Sequence, residues 1–214
     1  MPNNYAIPLK KVRIEVEVEH SRFIASLAPA RSIEQARDFI REIHSEFPDA
    51  NHHVPAYLIG GGNQITDYCS DDGEPSGTAG MPVLMTLRGS GLGDVVIVVT
   101  RYFGGVLLGK GGLVKAYTNA ARNAIAITQR GYPELVTDIQ FIAGYDQFET
   151  LKKQIQKFDG IDITEDFEVD VTIQCSIINS RLDEFLVTCA NLFAGKLIYE
   201  LLGEREFVFT YPPV

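Results

Sequence analysis

The chain has 214 residues, 45% of them apolar and 22% charged, and a net charge of −9; this fits a soluble globular protein with one large domain or two small ones. No window approaches the roughly 20 apolar residues of a membrane helix, and residues 1–9 lack the apolar stretch of a secretory leader, so a cytoplasmic protein is expected. Three cysteines, Cys69, Cys175 and Cys189, show no CxxC spacing and suggest neither a disulfide framework nor a zinc site.

Val12, Ile14, Val16 and Val18 alternate with charged residues, the period of a half-buried strand. Phe23 to Leu27 is its expected partner, and Ser32 with Gln35 forms a capping box for a helix whose apolar face is Ala36, Phe39, Ile40 and Ile43, with Pro48 beyond its end. Val54 to Ile59 is a third strand, Gly60 to Gly62 a turn, and Tyr68 to Ser70 the end of a further short strand. Residues 71–80, DDGEPSGTAG, hold too many breakers for regular structure, and a short helix follows over Pro82 to Leu87. The β-branched run Val95 to Thr100 predicts a buried strand. Beyond it Leu113, Ala116, Tyr117, Ala120, Ala121, Ala124 and Ile125 recur at helical spacing, with alanines that let a helix lie close on a sheet.

Gly131-Tyr-Pro-Glu134 is the expected linker, dividing the chain into domains 1–135 and 136–214. The second half predicts strand 137–144, helix 146–158, strands 162–168 and 170–177, helix 179–193 and strand 197–209. This is a ferredoxin-like βαββαβ order, which makes the whole an α+β protein. Charge divides unevenly: residues 1–135 carry 13 Lys and Arg against 14 Asp and Glu, a net of −1, whereas residues 136–214 carry 6 against 14, a net of −8. An acidic half repels phosphate, so any nucleic-acid contact is expected on the first half, and the second half suits a basic protein partner.

The joint between the Val95 strand and the following helix is rich in glycine. Gly104, Gly105, Gly109, Gly111 and Gly112 stand there with Arg101, Lys110 and Lys115, so the joint can offer unpaired N–H groups and positive charge to an anion. Gly104 and Gly109-Lys110 spell G-x-x-x-x-G-K, but Gly111 replaces the hydroxyl residue that would hold magnesium, and Val106 to Leu108 are apolar. A tight crossover that needs glycine only for packing explains the same residues. Lys115, Asn119 and Arg122 form one polar stripe. Asp71, Asp72 and Glu74, with His52 and His53, could bind a hard metal or act as acid and base, but carboxylates beside glycine also make ordinary turns, and adjacent strand residues point to opposite faces. No catalytic motif, metal site or cofactor is expected.

Two blocks, Ser70 to Pro82 (SDDGEPSGTAGMP) and Arg101 to Tyr117 (RYFGGVLLGKGGLVKAY), resemble the signature blocks of the IMPACT family, and the layout is similar to its bacterial YigZ-type members. The resemblance implies a first domain like the second domain of the fifth ribosomal small-subunit protein and domain IV of elongation factor G, followed by a ferredoxin-like domain. It also implies a non-enzymatic role near translation, with RNA, the ribosome or a translation-associated protein as partner and no membrane contact, since eukaryotic members are translational regulators. The second signature loop, Asp71, Asp72, Gly73, Glu74, Pro75, Gly77, Thr78 and Gly80, joins the glycine joint and Arg122 as the expected contact surface. The alternative is a nucleotide-binding enzyme using the loop Gly104 to Gly112.

Overall fold

A computed structural model describes residues 5–61 and 64–211. The described residues form two compact units, 5–132 with 210–211, and 133–209. No helix among them is long and apolar enough to cross a membrane.

The first unit opens with the short strand β1 (Ile7–Pro8), followed by β2 (Val12–Val18) and β3 (Ser21–Pro29). Helix α1 (Ile33–Glu46) is capped by Ser32, whose Oγ accepts from the Gln35 N–H at 3.2 Å. The Gln35 side chain accepts from the Arg31 N–H rather than from Ser32, so the capping box closes one residue early. Strands β4 (His52–Gly61) and β5 (Gln64–Cys69), helix α2 (Gly80–Arg88), strand β6 (Val95–Tyr102) and helix α3 (Gly109–Ala126) complete the unit. The expected turn at Gly60 to Gly62 is corrected in part: Gly60 and Gly61 belong to β4 and pair with Ile65 and Gln64, and Gly62 lies outside the described residues.

The sheet runs β2-β3-β6-β4-β5, with every neighbouring pair antiparallel. Central β6 is buried from Val95 to Arg101 because both faces are covered, and period two sorts its side chains. Val95, Ile97 and Val99 join a core beneath α2 and α3; Val96 and Val98 join a second core beneath α1. Strand β4 divides likewise, with Val54, Ala56 and Leu58 on the first side and Tyr57 on the second. All seven residues expected on the apolar face of α3 are buried, four of them alanines. Two helices thus cover one face of the sheet and a single helix the other.

The second unit contains most of β7 (Arg130–Ala143), then α4 (Tyr145–Lys157), β8 (Ile161–Phe167), β9 (Val171–Ile178), α5 (Asn179–Leu192) and β10 (Ile198–Phe209). Its strand order, β10-β7-β9-β8, is that of a ferredoxin-like sheet. Phe141, Ile173 and Ile177 pack with Leu151 and Ile155 of α4 and Phe185 of α5 in one core. Residues 131–134, expected to break the chain, instead continue β7: Arg130 and Gly131 pair with Pro8 and Ile7, and β7 pairs with β9 from Val136 onward. All three cysteines are free.

Candidate functional site

The loop Asp71 to Ala79 folds around one carboxylate. Asp71 accepts hydrogen bonds from the N–H groups of Gly77 at 2.8 Å, Ala79 at 3.0 Å and Gly80 at 2.8 Å. Burial raises its pKa and these three bonds outweigh that, leaving it below the usual carboxylate range. Two of the donors lie at the start of α2, where a negative charge also meets the positive end of the helix dipole. Gly80 is needed for close approach, since a Cβ there would lie 2.6 Å from the Ser70 carbonyl carbon and oxygen. Thr78 turns inward and its hydroxyl donates to the Pro75 carbonyl at 2.6 Å.

Glu74 projects from this loop into the protein and is buried. Its Oε1 accepts from Arg101 Nη1 at 2.6 Å and from the Tyr117 hydroxyl at 2.7 Å, with His52 Nε2 at 3.9 Å. Arg101 stands at the end of β6 and Tyr117 in α3, so the first and last residues of the glycine-rich block close on a single oxygen of the other block. Burial, followed by the bond to Glu74, drives the Tyr117 pKa strongly upward. The Arg101 guanidinium lies over the rings of Phe23 and Phe103, 5.4 and 5.6 Å from their centroids. Its Nη2 reaches Ser21 Oγ at 3.5 Å, and that hydroxyl accepts from the Gly104 N–H at 3.1 Å. Arg101 Nε is buried without a partner.

Above this network lies an open cleft of about 510 Å³, lined by His52, Gly73, Glu74, Pro75, Arg101, Phe103 and, from the opposite wall, Leu107 to Lys110. Its rim is apolar: Phe103 is 45% and Leu107 88% exposed. The α3 N-terminus forms one wall, and its cap residue Leu108 supplies no side-chain bond. Gly105 and Gly109 have φ of +85° and +66°, the left-handed region that favours glycine. Gly104 serves packing instead, because a Cβ would sit 2.0 Å from the carbonyl carbon of His20. Lys110, Lys115 and Arg122 are exposed and have no ion-pair partner among the described residues.

The expected site residues are therefore distributed. Arg101, Glu74, Gly73, Pro75, Gly109 and Lys110 converge on the cleft. Asp71, Gly77, Thr78 and Gly80 hold the loop's internal structure, and Gly111 and Gly112 lie in the first turn of α3, which Lys115 and Arg122 extend. His52 and His53 point to opposite faces, joined through Asp72: its carbonyl oxygen lies 2.7 Å from His52 Nδ1, and its carboxylate accepts from the His53 N–H at 2.6 Å. Among the described residues no group of three or more His, Cys, Asp or Glu is placed to hold a metal ion. Sequence reasoning missed the Tyr117 hydroxyl, Ser21 and Asn51, which accepts from the Phe103 N–H at 2.8 Å. A tyrosine on an otherwise apolar helix face was the available signal, since a buried hydroxyl needs a partner.

A profile of the Impact N-terminal domain matches residues 19–125, a span that includes both blocks. The IMPACT family member YigZ of Escherichia coli (strain K12) is 36% identical over 95% of this chain and 99% of its own length. Protein IMPACT of Xenopus laevis is 34% identical over 49% of this chain and 34% of its own length. A crystal structure of a hypothetical protein superposes with a TM-score of 0.60 at 35% identity, covering 95% of this chain and 98% of that one. With the matched domain and full-length similarity to a bacterial member, this chain belongs to the IMPACT family.

Proposed function

We propose that the chain is a non-enzymatic binding protein of the translation apparatus and that the cleft between its two signature blocks is a docking surface for the ribosome. The observation that carries this reading is how the charged groups are used. Arg101 and Tyr117 both donate to Glu74 inside the cleft, where the three hold the loops in place. The groups left at the mouth are the apolar rim and Lys110, with Lys115 and Arg122 farther along α3. Apolar contact with adjacent cations suits a large, partly anionic surface.

Sedimentation with purified ribosomes tests the proposal. The full chain is expected to sediment with them at low salt and be released as salt rises; the double variant Lys110→Glu, Lys115→Glu should remain in the supernatant. Failure of the wild type to sediment overturns the ribosome reading, and retention of the double variant overturns this surface.

A phosphate-ligand enzyme draws support from the uncapped α3 start and the G-x-x-x-x-G-K spacing. Against it stands Glu74, the carboxylate nearest that loop's cleft, which is engaged by Arg101 and Tyr117. Thermal stabilisation by a magnesium nucleotide would favour the enzyme reading; an unchanged Tm across the common nucleotides counts against it.

A further inference from the structure

Among the described residues the sheet face opposite the cleft is covered by α1, which packs on β6 and β4 and not on the edge strand β5. Between α1 and that edge lies a groove of about 340 Å³. Arg37, Arg41 and His44 line it from α1, at the i, i+4 and i+7 positions that share one helix face. His53 and Tyr57 contribute from β4 and Tyr68 from β5. Tyr57 is buried with its ring stacked 5.3 Å from that of Tyr68, which is 46% exposed.

Positive charge predominates here in a chain whose net charge is −9. Arg37 has no ion-pair partner among the described residues. Among the described residues the ion-pair partner of Arg41 is Asp38, three residues away on the exposed helix surface, a kind of pair that contributes little and exchanges readily. The one carboxylate lining the groove, Asp72, already accepts from the His53 N–H. His53 is bonded through Nδ1 to Thr100 Oγ1 at 3.2 Å, and its ring lies 4.1 Å from that of His44. Burial, reinforced by His44, lowers its pKa and favours the neutral ring.

We propose that this groove binds one nucleotide unit of a single-stranded RNA, with the base stacked on Tyr68 and the adjoining phosphate held by Arg37 and Arg41. The volume lies at the small end of ligand sites, the size of one nucleotide. Tyr68 is backed by Tyr57, so its ring is a supported platform of the kind that stacks bases without regard to sequence. Two guanidiniums one helical turn apart match the geometry of a phosphate, which arginine binds through paired N–H groups. A duplex has no free base face to offer Tyr68, which favours single strands. This site is separate from the signature cleft and stands whether or not that cleft docks on the ribosome.

Fluorescence anisotropy of a labelled single-stranded RNA octamer, with the full chain, is the test. Wild type should bind, the affinity should fall with salt, and Arg37→Gln with Arg41→Gln should weaken binding by about tenfold or more. Tyr68→Ala should weaken it by a similar factor of about ten, and Tyr68→Phe should restore it, because stacking needs the ring and not the hydroxyl. The octamer annealed to its complement should bind less well than the single strand. Absence of octamer binding, duplex binding equal to single-strand binding, or unchanged affinity in the arginine and Tyr68→Ala variants would overturn the proposal. Lys153→Gln with Lys157→Gln, which removes two exposed cations of α4, should bind the octamer as wild type does; if it weakens binding as much as the arginine pair does, net charge and not the groove carries the binding, and the proposal falls.

Discussion

Glu74 shows how a residue's chemistry depends on its neighbours more than on its own type. In the sequence it is one of three acidic residues in a loop of breakers, a setting that an ordinary turn explains without a metal or acid–base site. In the fold it is buried and bonded to Arg101 and Tyr117. Removing one partner of a buried ion pair leaves the other charge uncompensated, so Glu74→Ala should destabilise the protein by about 3–5 kcal/mol. Tyr117→Phe, which removes only one bond to a charged acceptor, should cost about 1–3 kcal/mol; urea denaturation measures both. The Tyr117 pKa is raised in the folded state, so its contribution is complete below the ordinary tyrosine value of 10.0 and declines as pH climbs above it. The stability of wild type should therefore fall more steeply than that of Tyr117→Phe above about pH 10. Arg101 and Glu74 could be singled out in the sequence because each sits in a long signature block. Their pairing could not, because 27 residues separate them and no local rule links positions that far apart.

At the scale of elements, local period was enough for most of the first unit. The alternation of β2, the β-branched run of β6 and the small-residue face of α3 each state their element and its buried side. The glycines of the joint were less legible, because one residue type serves three needs there: close approach at Gly104, positive φ at Gly105 and Gly109, and open space at Gly111. Substitution by alanine separates them. Gly104→Ala drives a Cβ into the backbone of His20 and Ser21 and should lower the Tm sharply. Gly111→Ala meets nothing within 4 Å and lies in a helix, where alanine is favoured over glycine by about 1 kcal/mol, so the Tm should hold or rise. Equal losses in the two variants would contradict this division. The acidic loop makes a prediction of opposite pH sign. Asp71 has a lowered pKa in the fold, so its stabilising effect is present above the ordinary aspartate value of 3.8 and is lost as pH falls through the lower folded value. Asp71→Asn should therefore be less stable than wild type near neutrality, and the difference should shrink on acidification below pH 3.8.

For the molecule as a whole, the change in charge between halves and the βαββαβ order are visible in the sequence, but the junction Gly131 to Glu134 has the composition of a linker and is a strand. The reason is physical. Gly131 and Pro133 are breakers by propensity, yet the N-terminal Ile7 and Pro8 supply a strand partner from more than 120 residues earlier, and such a pairing leaves no local trace. A boundary at 135 has a consequence that a slightly earlier cut does not share. A fragment of residues 1–135 keeps Arg130 and Gly131 against β1, the bond from the Leu9 N–H to the Gln129 carbonyl at 2.9 Å, and Tyr132 against the first core. A fragment ending at Thr128 loses all three and uncovers Ile7, which is 5% exposed in the intact chain. The longer fragment should therefore melt in one cooperative transition, and the shorter one should melt at lower temperature with rapid amide exchange at Ile7 and Leu9, whose partners on the 129–131 segment are gone. Both retain the α1, α2 and α3 cores, so a longer fragment without a cooperative transition would mean that the first unit needs residues beyond 135 to fold.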